Sequence, residues 1–273
     1  MTKIALSLLG SVDPSWASWA QSLLEKLYLK VEKHPLLVYL VIAQSKLLFK
    51  SYLMTTHLET GVASAPAFEE FEASHDAFLG APRIVLCEES LRNLPRHAQA
   101  GVILHEGAHS VLHGELRSYT LTPPPLLRDV EAKLQAPQGY SVNLLYLFST
   151  AVKDYEATEL LLELGFREEA KDYVIYALEP SPRLVEDWKL ASAAGIFLRL
   201  VHLAELLKPL CCASPLMEDG EVKTRALSMT SHLPTAYADG LVDIAASPAW
   251  RSRATLQEKL EGLAEVFLER FTA

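Results

Sequence analysis

Two histidines and a glutamate carry the strongest chemical signal in this sequence. His105, Glu106 and His109 lie within the stretch GVILHEGAHSVLHG at residues 101–114. Side chains four residues apart project from the same face of an α-helix, so both imidazoles can bind one metal ion. Glu106 lies about 100° further round the helix, where its carboxylate can reach a metal-bound water. The spacing predicts metal-assisted hydrolysis: the metal lowers the pKa of the water to about 7, and Glu106 accepts its proton.

The segments around the motif are typical of a helix that follows a strand. Pro95 suits the beginning of a helix, the apolar residues 102–104 lead into the motif, and Gly114 follows its end. The β-branched run Arg83–Cys87 comes shortly before and predicts a short strand. The motif therefore lies on a well-delimited helix.

On the motif and this strand-then-helix order, the sequence resembles the zincin metallopeptidases. The resemblance is limited to the middle of the chain, residues 83–165. It implies a Zn²⁺ ion held by His105, His109 and a third ligand, with Glu106 as the general base and a peptide or protein as the substrate. Because the match is one of motif, it does not carry over a particular substrate.

The residues after the motif exclude one zincin subclass. The metzincin pattern continues with glycine and histidine where this chain has Leu112 and Glu115. His113 lies eight residues beyond His105, about 12 Å along a straight helix, and cannot share its metal. We expect His113 to support a ligand or to lie beside the substrate. The alternative is a histidine that faces the C-terminal dipole of the helix.

A later acidic cluster supplies candidates for the third ligand. The gluzincin pattern takes this ligand from a downstream helix, and the apolar helix predicted over Val142–Leu164 carries Asp154, Glu156 and Glu159. Acids among apolar residues need a partner, such as a metal, unless they form a solvated stripe. Aligned with the family pattern, Asp154 would be the ligand and Thr158 its supporting residue, although both depart from the usual residue types. We rank Glu156 first, as the glutamate inside the pattern, then Asp154, then Glu159.

The remaining histidines and three tyrosines are interpreted as ordinary structural residues. The histidines are scattered along the chain, and tyrosines on apolar faces usually pack rather than donate to an oxyanion. These residues are His57, His75, His97, His202 and His232, with Tyr146, Tyr155 and Tyr173.

Hydrophobic periodicity predicts a mainly α protein with a small β-sheet, an α+β fold. We expect a single zincin-like domain over residues 1–273, with N-terminal helices in 1–60, a metal-site core in 83–165 and a helical part in 166–273. The helices expected outside the core cover Trp16–Glu32, Arg167–Leu178, Leu184–Leu207 and Thr255–Phe271. The apolar segment Leu36–Leu53 could be a helix or a strand, and its length favours a helix. Residues 55–82 are expected to be irregular.

Composition and charge limit the partners and the compartment. A net charge of -9 argues against nucleic acid or an anionic membrane as the main partner, because both need a dense basic face. No apolar run approaches the roughly 20 residues of a transmembrane helix, and residues 1–10 are too short for a secretory signal. Three cysteines with no pairing pattern indicate reduced thiols in a cytoplasmic protein. The oligomeric state is not determined by these features.

Two alternatives to a zinc-dependent peptidase follow from the same residues. The chain could be a regulatory or binding module that keeps a zincin core with little activity. It could also be a helical scaffold in which the motif is accidental. Metal content separates the scaffold from the other two, and the effect of Glu106→Gln on peptidase activity separates the enzyme from the binding module.

Overall fold

The structure is a computed structural model that describes residues 2–61 and 72–272. It is 67% helical with one small sheet, which confirms the predicted α+β class. By packing, the chain divides into two compact units. The first runs to Tyr119 and includes Glu159–Tyr173, and the second comprises Thr120–Thr158 and the residues from Val174 onwards. The single domain expected over the whole chain stays a prediction.

The first unit is built on a four-stranded sheet. Its strands are ordered β1-β2-β4-β3; the first three are parallel, and β3 pairs antiparallel to β4 at one edge. In chain order the elements are β1 (Lys3–Leu9), α1 (Pro14–Lys30), β2 (Leu37–Ala43), α2 (Lys46–Thr60), β3 (Ala73–Asp76), β4 (Arg83–Cys87), α3 (Glu88–Leu91) and α4 (Arg96–Leu112).

Strand β4 is one of the two inner strands of the sheet and confirms the strand predicted at the same residues. All five of its residues are buried, as expected for an inner strand covered on both faces. Val85 and Cys87 pack with Phe49 and Leu53 of α2 on one face. The motif helix α4 contacts both β3 and β4. The strand and helix predicted around the motif are therefore neighbours in space.

The helix expected over Leu36–Leu53 is wrong in its first half. Residues Leu37–Ala43 form β2, which is paired on both sides, with β1 and with β4. Ser45 then caps α2 by accepting a hydrogen bond from the backbone N–H of Leu48. The segment was ambiguous because a strand buried on both faces is a continuous apolar run without alternation.

From Thr120 onwards, the described chain forms helices joined by short connections. Helix α6 runs on into the first unit after Thr158, and the first part of α7 belongs to that unit. The helix predicted over Leu184–Leu207 is interrupted at Gly195, whose φ of 98° lies in the left-handed region that favours glycine. The helices are α5 (Pro125–Lys133), α6 (Tyr140–Glu163), α7 (Arg167–Ala177), α8 (Leu184–Ala193), α9 (Ile196–Ala213), α10 (Gly220–Thr230), α11 (Thr235–Ala246), α12 (Pro248–Arg251) and α13 (Leu256–Thr272).

An aromatic core fixes α6 within the second unit. Tyr155 packs edge-to-face on Trp250 of α12 at 5.1 Å between ring centroids, and Phe148 packs on Phe267 of α13 at 5.0 Å. Trp250 is fully buried, and its indole N–H donates to the backbone oxygen of Ile244. Such aromatic pairs each contribute about 0.5–1.5 kcal/mol beyond their burial. No helix in the described ranges has the length and apolarity needed to cross a membrane.

Candidate metal centre

The motif helix α4 approaches two neighbouring helices closely at glycines. A Cβ atom on Gly107 would lie 2.8 Å from the Leu24 side chain of α1. On Gly101 it would overlap the backbone oxygen of Glu169 in α7 and lie 2.7 Å from the Cβ atom of Tyr173. Only a residue without a side chain permits such approach. These glycines therefore set how closely α1 and α7 pack against the motif.

Two side-chain hydrogen bonds on either side of the motif join α4 to α1. The hydroxyls of Tyr28 and Ser110 are 2.7 Å apart, and Trp16 donates its indole N–H to Gln99 at 3.0 Å. Burial raises the pKa of Tyr28, so its hydroxyl stays neutral. Each bond stabilises the fold by about 1 kcal/mol. Together they restrict rotation of α4 about its own axis.

The helical face brings the two motif imidazoles together. The Nε2 atoms of His105 and His109 are 3.1 Å apart, and their rings are nearly perpendicular. Two nitrogen ligands about 2.0–2.1 Å from one tetrahedral metal would lie about 3.3 Å apart. Both histidines are buried. The spacing of the pair fits two ligand positions of a single metal ion.

His113 lies behind His109. It is the buried C-cap residue of α4, and its Nδ1 is 3.1 Å from Nδ1 of His109. If His109 donates its Nδ1–H to His113, its Nε2 is left unprotonated, which is the form that binds a metal. The structure thus places His113 where it can orient a ligand; the role itself stays a prediction.

One carboxylate of α6 completes a group with the two histidines. His105, His109 and Asp154 are buried, each offers one ligand atom, and these atoms all lie within 4.8 Å of one another. Lys208 lies near the same carboxylate, with its Nζ 4.0 Å from Oδ2 of Asp154. Two imidazoles and a carboxylate are a donor set that zinc and other first-row metals accept. This group can therefore bind a metal ion.

The two glutamates of the acidic cluster are placed differently. Glu156, ranked first from the sequence, has its Oε1 atom 2.6 Å from Nζ of Lys259 in α13. Asp154 and Glu156 are two residues apart, hence about 200° apart round the helix, so they face in nearly opposite directions. Glu159 is half-buried. Among the described residues, the group that can bind a metal contains Asp154 and neither glutamate.

Thr158, the supporting residue in the family alignment, bonds within α6 and to α9. Its hydroxyl donates to the backbone oxygen of Asp154 and lies 3.2 Å from Sγ of Cys212. Burial raises the pKa of both Cys211 and Cys212, so these thiols stay protonated. With Cys87, all three cysteines are free and buried, as predicted.

Glu106 is distinguished from its neighbours by its exposure. Every other residue from Ala98 to Ser110 is buried, whereas Glu106 is half-exposed. It directly follows His105, a member of the group that can bind a metal. Its carboxylate can therefore meet a water or a substrate that reaches that group from outside.

His75 and Tyr119 lie beside the motif, although neither was singled out from the sequence as a site residue. The ring of His75, on β3, stacks on that of His109 with centroids 6.0 Å apart and planes 21° apart. The hydroxyl of Tyr119 is 2.7 Å from Nδ1 of His75. His75 is 34 residues before His109 in the sequence, and no spacing rule relates a strand residue to a helix that far away. Strand pairing beside α4 is what brings them together.

The other histidines and tyrosines that the sequence analysis interpreted as structural residues lie in different environments. Tyr173 packs against His105 with ring centroids 4.4 Å apart, Tyr155 lies in the aromatic core, and Tyr146 is about half-exposed. His97 is exposed at the beginning of α4. The sequence analysis interpreted His75 as an ordinary structural residue, whereas the structure places it against His109 of the candidate metal centre.

Comparison with protein-family models, curated proteins and solved structures yields no match to this chain. The resemblance to zincins therefore rests on the sequence motif and stays a prediction.

Proposed function

We propose that this protein is a zinc-dependent peptidase. The observation that carries the proposal is the buried pair of imidazoles on α4, with Nε2 atoms 3.1 Å apart, next to the half-exposed carboxylate of Glu106. His105, His109 and Asp154 would hold the ion. When bound, zinc polarises a carbonyl group and makes water more acidic near neutral pH.

The protein side chains have separate roles in this proposal. Glu106 takes the proton of the attacking water and then delivers it to the leaving amine, so the carboxylate is regenerated. His113 holds His109 in the tautomer with Nε2 unprotonated. The three residues that would hold the metal are buried, so they lie in surroundings of low dielectric constant. Electrostatic interactions with charge that develops during the reaction are stronger there than in water.

The sheet edge beside the motif favours an extended peptide as the substrate. Strand β3 pairs with β4 and is the last strand on that side of the described sheet. An extended chain can add to such an edge through main-chain hydrogen bonds. Because His75 of β3 stacks on His109, a chain aligned along β3 would pass close to the metal-binding residues. The free, buried cysteines suit a reducing compartment, and we place the protein in the cytoplasm.

Metal analysis tests the binding half of the proposal. The wild type should bind one zinc ion, and His109→Ala should lose most of its affinity and the thermal stabilisation that zinc confers. His97→Ala is the matched control, because His97 lies exposed on the same helix. Among the acids, Asp154→Ala should lose zinc, while Glu156→Ala and Glu159→Ala should retain it. Full occupancy in His109→Ala would contradict the assignment.

Glu106→Gln tests the catalytic half. The amide keeps the size of the side chain but cannot accept the proton, so peptide hydrolysis should fall by at least about 100-fold while zinc remains bound. Activity would be measured on a mixed peptide library with zinc-loaded protein. Zinc binding without hydrolysis by the wild type would favour the binding module, and absence of zinc binding would favour the scaffold.

A further inference from the structure

Strand β1 forms the edge of the described sheet that lies opposite β3. It is paired on one side, with β2, and it contains no proline and a single charged residue, Lys3, at its beginning. The side chains of Leu6 and Leu8 are 38% and 42% exposed. Prolines, bulges and charges within a strand protect most sheet edges from other chains, and the middle of β1 has none of these. This edge is therefore suited to pairing with a further strand.

The pairing with β2 determines which backbone groups of β1 point outwards. The N–H of Lys3 donates to Leu36, and the backbone oxygen of Leu9 accepts from Gln44, so both residues face β2. Because the direction alternates along a strand, the residues between them at even positions face away from β2. The backbone N–H and C=O groups of Ile4, Leu6 and Leu8 thus point away from the described sheet.

The order of residues in β1 is self-complementary about Leu6. If two copies of the strand pair antiparallel with Leu6 opposite itself, Ile4 of each copy lies opposite Leu8 of the other, and all three exchange their outward hydrogen bonds. These three side chains share one face and form apolar cross-strand pairs. On the other face, Ala5 lies opposite Ser7, and both are small. We propose that the protein forms a symmetric dimer through this pairing, with Leu6 at the twofold axis.

Exposed leucines extend this surface beyond both ends of β1. Leu36, whose backbone oxygen accepts from Lys3 at the beginning of the strand, is 85% exposed. Just after the end of the strand, a Cβ atom on Gly10 would lie 2.9 Å from the side chain of Leu48, and the adjacent Leu47 is 76% exposed. Antiparallel pairing brings the beginning of one strand to the end of the other. Leu36 of one copy therefore lies near Leu47 and Leu48 of the other.

The area of this surface is close to what a stable dimer requires. The five exposed leucines offer on the order of 400 Å² of apolar side chain per copy, and the edge of the strand itself adds about 200 Å². Stable interfaces bury at least about 600 Å² per partner. We therefore expect a dimer with a micromolar dissociation constant, whose population depends on protein concentration.

Sedimentation equilibrium of the full chain over about 1–100 µM tests the dimer. Leu6→Lys places two ammonium groups opposite each other at the twofold axis, so the dissociation constant should rise at least about 10-fold. Leu190→Lys is the matched control, because Leu190 is an exposed leucine on α8, and it should leave the constant unchanged. Circular dichroism checks that each variant is folded.

A cross-link at the twofold axis tests the register. Opposed residues of a hydrogen-bonded antiparallel pair have Cα atoms about 5.5 Å apart, which a disulfide can span. Leu6→Cys should therefore form a covalent dimer in oxidised glutathione, and the three native cysteines should not interfere because they are buried. Leu36→Cys is the control, since the two copies of that residue would lie about 20 Å apart in this register.

The results either support this interface or refute it. A dimer that is weakened by Leu6→Lys and cross-linked in Leu6→Cys, but not in Leu36→Cys, supports it. A wild type that stays monomeric over the whole range refutes it, and would leave β1 open to a different protein chain. A dimer that Leu6→Lys does not weaken and Leu6→Cys does not cross-link uses another surface, which also refutes it. If Leu6→Lys does not fold, the cross-link decides.

Discussion

At the scale of single residues, His109 is the most constrained side chain of the candidate centre. Its Nε2 faces Nε2 of His105, its Nδ1 faces Nδ1 of His113, and the ring of His75 covers it. An imidazole held on both nitrogens cannot rotate about χ2 without losing both contacts. A ligand that is oriented in advance loses less conformational entropy when it binds a metal. The contacts of His109 with its neighbouring histidines therefore favour metal binding because they fix the orientation of the ring, in addition to supplying nitrogen donors.

This arrangement predicts a graded effect of changes at His113. His113→Leu removes the partner of His109 Nδ1 and should weaken zinc affinity by about 10–100-fold without abolishing binding. His113→Asn, which keeps a polar group near the same place, should lose less. Competition with a chelator of known affinity measures the difference, and the exposed His97→Leu on the same helix is the control. Equal affinities of His113→Leu and the wild type would mean that His113 does not support the ligand.

Site residues that are close together in the sequence could be predicted, whereas those far from the motif could not. His105, Glu106 and His109 follow from helical periodicity alone, because one helix relates them. The choice of Asp154 over Glu156 depends on the rotation of α6 about its axis, which is set by packing partners such as Lys259 and Trp250. His75 depends on which strand lies beside α4. Neither the rotation nor the neighbour is encoded in local sequence.

At the scale of elements, the position of α4 depends on two glycines, because a side chain at Gly101 or Gly107 would clash with the neighbouring helix. The Leu24 side chain that meets Gly107 can shift, since its contact atom is the end of a flexible side chain. The backbone oxygen of Glu169 that meets Gly101 cannot shift without moving α7. The packing of α7 is therefore less adjustable than that of α1.

Gly101→Ala should destabilise the fold although alanine is the better helix former. Overpacking costs about 1–3 kcal/mol, against a gain of about 1 kcal/mol in helix propensity. The free energy of urea unfolding should therefore decrease, and by more than in Gly107→Ala. Gly220→Ala is a suitable control, because a Cβ atom there meets nothing within 4 Å. A Gly101→Ala variant as stable as the wild type would show that α7 moves at little cost.

The predicted elements that are confirmed share strong local signals. Asp13 caps α1 by accepting hydrogen bonds from the backbone N–H groups of Ser15 and Trp16, and Pro14 is the first residue of the helix, so its beginning is marked by local residue types. The strand Arg83–Cys87 has β-branched residues and a preceding proline. In contrast, β2 has no alternating pattern, and its apolar run could equally begin a helix even though Pro35 precedes it. Its strand form results from pairing with β1 and β4, which are distant in sequence.

At the scale of the whole molecule, the boundaries of the two units were only partly visible in the sequence. The boundary after Tyr119 lies shortly before a run of three prolines at residues 123–125, which cannot continue a helix. The boundaries after Thr158 and after Tyr173 fall inside α6 and α7. A continuous helix has no linker composition, so neither position could be recognised. Hydrophobic periodicity predicted the fold class because helical spacing extends over most of the chain.

Global stability should depend on pH through histidines that the fold keeps neutral. Burial lowers the pKa of His202, and the nearby His232 lowers it further, while Asp187 opposes the change. Burial also lowers the pKa of His232, whose ring lies edge-on to His202 at 5.8 Å, and of His57. Each is neutral in both states above its ordinary pKa of 6.5. As the pH falls below this value, the unfolded chain binds protons first, so stability is lost.

The pH prediction can be assigned to a single residue by comparing slopes. Below pH 6.5, each such histidine lowers the free energy of unfolding by at most about 1.4 kcal/mol per pH unit. His202→Gln removes one titrating group, so its stability should fall less steeply with acid than that of the wild type. Urea unfolding between pH 5 and pH 8 (about one unit beyond the transition on each side) measures this, with a chelator present to exclude linkage to metal. Parallel curves for His202→Gln and the wild type would mean that folding does not perturb the titration of His202.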